Sequence, residues 1–436
     1  MPGLLLWGGG GGSPRWYETV RQSVQQVDAL VVGGGPAGLA AALALRTGGA
    51  QSVVVVEREV EAGGVPRHCE HIGFGVRDLR RFLTGPQYAR RWVDKAADAG
   101  VDIWTRTMVT GWAGERHAEL TGPLGRREIV ARTVVLATGA RERPRSARLI
   151  PGTRPAGVFT TGQLQQWVYH EKMPVGQRAL IVGAEHVSYS AVLTLRHARV
   201  RPVALVTDLK QSQTVRPFDF FVHAGLRVPL MTHTSLGAIL GRERVEGVVL
   251  YDANGKAREM AVDTIVFTGD WIPDCELARL ANLEMNVGTN GPGVDADGRT
   301  SLDGIFAAGN LVHPVETADV ASTRASLVGA AAAAWLRSSD DQSLFGDSVR
   351  FISTEPLKWI SPNLVRAGQF SRQPVLLRST QFLDHPRIHI QQGARTLATY
   401  GLRKMIPNRS HHIPSDWYRS VDFDGGPVTV TVSTDG

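Results

Sequence analysis

Short apolar runs alternate along the chain with stretches whose apolar positions recur at helical spacing, which is the pattern of a parallel sheet covered by helices. Val27–Val32 predicts a buried strand, Pro36–Arg46 a helix and Ser52–Glu57 a second buried strand. After a turn-rich stretch, Gln87–Ala99 reads as an amphipathic helix stopped by Gly100. Val101–Thr107, Met108–Gly114 and Glu119–Leu124 then alternate as an antiparallel layer leading to a strand at Thr133–Ala137.

The same grammar restarts at Arg178–Gly183, a strand followed by a helix over Tyr189–Ala198 and a strand at Val203–Thr207. Asp252-Ala-Asn-Gly255 predicts a hairpin turn, because Asn-Gly supplies positive φ cheaply. Thr264–Thr268 closes this unit, and Gly304–Gly309 returns as a short buried strand running into an Ala-rich helix from about Thr317 to Ser338. From Phe345 onward only strand signals remain, at Val375–Arg378, Arg387–Gln391 and Val428–Val432. The expected fold class is therefore α/β, with two Rossmann-like dinucleotide-binding units in three layers, the second inserted in the first. A small C-terminal β-rich domain completes it. The expected divisions are a flexible leader over 1–26, the first unit over 27–160 and 286–340, the insertion over 161–285, and the last domain over 345–436.

Composition narrows this picture in a few places. The 436 residues exceed what one simple core organises. A net charge of +7 is spread along the chain without a Lys/Arg block, so neither a nucleic-acid partner nor a basic membrane patch is expected. With only Cys69 and Cys275 there is no disulfide framework, and no zinc or iron–sulfur site held by four cysteines. The run at Ala330–Trp335 is too short to span a bilayer, and Leu4–Trp7 is too short for a secretory segment, which makes a cytoplasmic enzyme the default expectation.

Chemistry concentrates in the glycines. Gly33-Gly34-Gly35-Pro36-Ala37-Gly38 follows a strand, opens a helix and precedes the acidic Glu57 by about twenty residues, the layout of a dinucleotide fingerprint. Gly33 permits the tight turn, Gly35 lets backbone approach a pyrophosphate, and Gly38 lets helix and strand pack closely. The helix N-terminus offers free N–H groups to the phosphates, and Glu57 can accept ribose hydroxyls. Ala137-Thr138-Gly139 ends another buried strand in small residues, where backbone can pass close to a cofactor.

These segments, in this order around an inserted unit and a Gly304-Ile-Phe-Ala-Ala-Gly309 strand, resemble the FAD-dependent pyridine nucleotide–disulfide oxidoreductases over about residues 27–340. More narrowly, Gly63-Gly-Val-Pro-Arg-His-Cys-Glu-His71, Ala137–Pro144 and Gly309–Asp319 look like the large subunits of opine, hydroxyproline and sarcosine oxidising dehydrogenases and of hydrogen cyanide synthase. The resemblance implies FAD held by the glycine fingerprint, Glu57, Arg58, Gly64, Val65, Ala137–Gly139, Gly309, Asn310, Thr317 and Ala318. It further implies hydride removal from a carbon–nitrogen bond. Four departures stand out. Cys69 has no nearby partner for dithiol chemistry. Asn310 replaces an Asp. Gly183-Ala-Glu-His-Val-Ser188 lacks the glycines that admit a pyrophosphate, which puts NAD(P) binding in doubt. The C-terminal region has no cysteine-rich cluster.

His68, Cys69 and His71 lie on a segment that in such proteins runs past the flavin. Either histidine can take a proton from an amine or simply brace the loop, and Cys69 can react with the flavin or simply pack. His313, Glu316 and Asp319 precede or begin the Ala-rich helix, whose N-terminus would stabilise reduced flavin, with Thr317 as its cap. The expected activity is an FAD-dependent dehydrogenase for a small molecule, namely an amine, imino acid or N-substituted amino acid, passing electrons to a quinone, a partner flavoprotein, an acceptor subunit or oxygen. The alternatives are an NAD(P)H-dependent reductase or oxidase using Cys69, and a non-catalytic flavoprotein subunit.

Overall fold

The computed structural model describes residues 24–214, 219–338, 347–369 and 373–434. Most of the expected leader and the 339–346 junction that holds Phe345 lie outside the described residues. Residues 24–26 already belong to the first strand, Val24–Val32, where Val24 pairs with Glu128.

The first sheet places five parallel strands in the order Asp102–Trp104, Val53–Val56, Val24–Val32, Gly125–Leu136, Ile305–Ala307. The central strands are almost wholly apolar because both faces are covered. Helices α1 (Pro36–Thr47), α2 (Gly85–Asp98) and α4 (Ala318–Arg337) cover one face. An antiparallel layer of Met108–Gly114 and His117–Gly122 continues from the N-terminal half of Gly125–Leu136. The Ala-rich face of α4 lies on α1 so closely that a Cβ at Gly329 would sit 2.3 Å from the Ala41 carbonyl oxygen.

One strand departs from its expected direction. The alternating Val101–Thr107 run predicts an antiparallel neighbour, yet Asp102–Trp104 pairs parallel with Val53–Val56. Alternation fixes which side chains face inward and not which way the chain runs; α2 supplies the crossover that makes the pairing parallel.

The second sheet is also parallel, in the order Val158–Thr160, Thr264–Phe267, Arg178–Val182, Arg201–Val206, Leu230–Met231. Helix α3 (His186–His197) crosses it, starting three residues ahead of the expected Tyr189 because Glu185 and Ser188 form a capping box. The expected hairpin turn is present, with the Gly255 N–H donating to the Asp252 carbonyl at 3.0 Å. Both passages between the two sheets run through one small ribbon, Ala140–Glu142 paired antiparallel with Trp271–Pro273. The last region is β-rich, built around Val349, Ile388, Ile390, Val428 and Trp417.

Candidate functional site

The C-terminal ends of the Val24–Val32 and Gly125–Leu136 strands open onto the glycine turn. Gly33 has φ +110°, and a Cβ there would lie 2.4 Å from the Ala137 carbonyl oxygen, so turn and crossing strand touch through backbone. A Cβ at Gly38 would stand 1.8 Å from the Gly33 oxygen, which is the close helix–strand approach the fingerprint requires. Gly35 differs from both. The nearest atom to a Cβ there is Gly64 Cα, 3.8 Å away, so this side of the turn is open. Helix α1 starts at Gly35 with Pro36 in its first turn and no side chain capping it. Its leading N–H groups, those of Ala37 and Gly38, lie where a phosphate would use them. Glu57, buried beside the turn, accepts the N–H of Gly34 at 2.9 Å and of Glu59 at 2.8 Å.

Of the other predicted residues, Gly64 and Gly309 pack against this turn, and the rest make contacts of their own. Gly63 donates to the Gly34 carbonyl at 2.7 Å, so Gly64 and Val65 run along the open face of Gly35. Gly309, at φ +71°, packs against Ala37. The Asn310 amide bonds the backbone of Glu316 through both its oxygen (2.8 Å) and its nitrogen (3.3 Å), folding the loop that delivers α4. Thr138 donates to the Asp274 carbonyl at 2.7 Å, and Gly139 accepts the Asp274 N–H. Arg58, largely exposed, reaches Asp274 at 3.6 Å. Thr317 holds the N-cap position of α4 next to Ala318, but its hydroxyl donates to Asp319 and does not cap the helix as expected; the short Thr-x-Asp spacing lets the carboxylate compete for it. An open glycine cradle, an uncapped helix N-terminus and an acidic strand end together fit the pyrophosphate and ribose of FAD.

Beyond this cradle, the short helix Val65–His68 brings His68, and Cys69 just after it, against the second unit. The His68 ring stands edge-on to His170 at 4.9 Å, and its Nε2 is 3.2 Å from the Gln166 amide nitrogen. His68 Nδ1 is buried and has no partner. Burial, with His170 and Arg67 adding repulsion, lowers His68 to about 4, so the ring is neutral near pH 7. The Cys69 thiol meets Gln165 Oε1 at 3.4 Å, and burial pushes it up to about 12. A thiol held protonated is a poor nucleophile. His71 stands apart from both; it bonds the Ile72 carbonyl through Nδ1 at 3.0 Å and lies against Phe74.

His313 is buried against the C-terminal β-rich region, its ring 5.4 Å from Trp359 and its Nδ1 4.0 Å from Glu316. Burial, with Arg324 and Arg378 nearby, holds it well below the ordinary range. Arg378, from the C-terminal β-rich region, binds this loop. It donates to the carbonyls of Pro314 (2.5 Å) and Val315 (2.9 Å), reaches Glu316 at 3.5 Å, and lies over Trp359. Ser410 also donates to Glu316. Sequence reasoning missed Gln165, Gln166 and His170, about a hundred residues from the histidine and cysteine they contact, and missed Arg378, which sits within a run of buried strand residues.

Residues 27–325 match the sequence profile of the pyridine nucleotide–disulphide oxidoreductases. The chain is 28% identical over 340 residues to an opine oxidase subunit of Agrobacterium tumefaciens, covering 70% of this chain and 65% of that protein. It is 26% identical to thioredoxin reductase of Treponema pallidum, covering 65% of this chain and 88% of that one. The chain thus spans less than two thirds of the length of the opine oxidase subunits it matches. Among solved structures, T. acidophilum thioredoxin reductase superposes with a TM-score of 0.60 at 19% identity, covering 73% of this chain and 100% of that one, which shows a common fold.

Proposed function

We propose a specific reaction for this chain, which belongs to the pyridine nucleotide–disulphide oxidoreductase family and is an FAD-dependent oxidoreductase. The reaction is oxidation of the carbon–nitrogen bond of an N-substituted amino acid, imino acid or amine, within an assembly that includes a second polypeptide. The observation that carries this reading is His68, a buried neutral imidazole with an unpartnered Nδ1 on the segment leaving the Gly63–Gly64 cradle. Similarity to one subunit of an opine oxidase supports the substrate class and the partner.

Held by the Gly33–Gly38 turn and Glu57, FAD would supply the hydride acceptor for the carbon next to nitrogen. The chain's own residues handle the rest. Gln166 can turn its amide oxygen toward His68 Nε2, which places the ring proton there and leaves Nδ1 as an acceptor. A neutral ring does not repel an ammonium, and Nδ1 receives the N–H proton as the C=N bond forms. The N-terminus of α4 would offer positive potential to charge left on the cofactor by reduction. Cys69, protonated and bonded to Gln165, packs the pocket wall and carries no electrons.

Anaerobic mixing of the FAD-loaded protein with a panel of opines, imino acids and secondary amines tests the reading. Bleaching of the flavin band by one member of the panel is expected. Reduction by NADH or NADPH, with none by any amine in the presence of the partner polypeptide, would remove it in favour of the nicotinamide-dependent alternative.

A further inference from the structure

The molecule contains its own control for what a nucleotide turn needs. Both crossover helices start from the same backbone conformation. The N-cap of α1 is Gly35 at φ −78°, ψ −179°, and that of α3 is Glu185 at φ −101°, ψ 179°. In the first unit the N-cap side of the turn is empty out to 3.8 Å. In the second unit a full side chain grows from the same position and folds back over the turn. The Glu185 carboxylate accepts the Ala184 N–H at 3.0 Å through Oε2 and caps α3 through the backbone of Ser188. It so crowds the crevice that a Cβ at Gly183 would lie 2.9 Å from Oε2, and a Cβ at Gly269 2.9 Å from Oε1. Gly183 and Gly269 sit just past the ends of Arg178–Val182 and Thr264–Phe267, so the carboxylate fills the crevice between neighbouring parallel strands where a dinucleotide would lie.

The third glycine position is filled as well. It is Ser188, whose hydroxyl accepts the Glu185 N–H at 3.1 Å and bonds Thr268 Oγ1 at 2.6 Å. Arg148 donates to the Thr268 and Gly269 carbonyls at 3.0 and 2.6 Å, tying down the opposite wall. The Ala184 N–H and the helix end that would greet a pyrophosphate are already occupied by this internal carboxyl group.

We infer that Glu185 closes the second nucleotide fold to NAD(P), so that this chain is a one-dinucleotide flavoprotein whose inserted unit serves as scaffold. An incoming pyrophosphate must displace this side chain from the N–H groups and the crevice that it already occupies. On the amine-oxidation reading, electrons then pass from the organic substrate through the flavin to the acceptor with no nicotinamide held by this chain.

The test is direct binding to the FAD-saturated full chain, by titration calorimetry and saturation-transfer NMR with NADH and NADPH. The parent should show no binding up to about 1 mM ligand. Glu185→Gly restores the first unit's geometry and should bind one of the two nucleotides at least about tenfold more tightly than the parent. Glu185→Gln, which keeps the bulk, should stay with the parent. Micromolar binding by the parent overturns the inference. So does a correctly folded, FAD-replete Glu185→Gly protein that gains nothing, because the carboxylate would then not be what closes the site. These readouts do not depend on turnover, so failure of the amine-oxidation reading leaves them intact.

Discussion

Replacing Arg378 by Leu should strand the Glu316 carboxylate at the seam between the C-terminal domain and the loop that delivers α4. The Arg378 and Glu316 side chains are only 5% and 10% exposed, so solvent offers little screening of what is left behind. Removing one partner of such a buried pair costs about 3–5 kcal/mol. Part of that has a ceiling set by proton uptake. The stranded carboxyl, ordinarily near 4.5 and already raised by burial, can take a proton instead of staying charged. At pH 7 that escape costs about 3 kcal/mol, and it becomes cheaper by about 1.4 kcal/mol for each unit the pH falls. The carbonyls of Pro314 and Val315 lose their donor as well, which adds about 1 kcal/mol or more. Urea unfolding followed by tryptophan fluorescence measures the loss, and FAD affinity reports whether the loop has moved. The Arg378→Leu penalty should shrink between pH 7 and pH 5.5, and should be smaller by at least about 1 kcal/mol in a Glu316→Gln background. A loss below about 1 kcal/mol, or strict additivity of the two substitutions, would refute the reasoning.

Gly38→Ala should give protein that no longer retains FAD, because its Cβ would meet the Gly33 oxygen at 1.8 Å; a yellow, FAD-replete variant counts against the assignment of the cradle. His68→Gln should slow flavin reduction by the cognate amine about 10²–10⁴-fold with an unchanged flavin spectrum, read by stopped-flow absorbance. Cys69→Ala should leave that rate within about twofold, and native Cys69 should resist alkylation at pH 8, since its thiol lies near 12; a variant without activity would revive the redox role. Stability against pH follows His68. Its folded pKa of about 4 lies below its ordinary 6.5, so its contribution is complete above 6.5 and is lost as pH falls from 6.5 toward 4, which a urea series across that window checks with His68→Gln as the control.

The local grammar of this fold was legible where strand, turn and helix are neighbours in sequence. Gly33–Gly38 with its flanking strand and helix, the Asp252–Gly255 turn and the Ala-rich helix on Gly309 each carry their own steric or capping reason. The direction of Asp102–Trp104 was not legible, since its partner is Val53–Val56 and nothing in an alternating run encodes a parallel neighbour. Gly183–Ser188 reads as a turn missing its glycines, and that much is right. What stands in place of the glycines, a carboxylate folded into the crevice, depends on Thr268 and Gly269, some eighty residues away. The bond from Arg378 to Glu316 spans 62 positions and ties the C-terminal β-rich region to the loop before α4, so no local pattern foretells it.

The ribbon of Ala140–Glu142 against Trp271–Pro273 has a consequence for how the chain can be taken apart. Because the ways into and out of the second unit lie side by side, hydrogen-bonded as adjacent strands, that unit is threaded onto the first like a bead on a closed loop. A tight turn from Glu142 to Trp271 would rejoin the ends without moving either strand. The first unit would lose the wall supplied by Gln165 and Gln166, yet keep its sheet, its glycine cradle and α4. In such a molecule the flavin-binding half and the half that shields His68 and Cys69 become separable pieces, open to exchange one at a time.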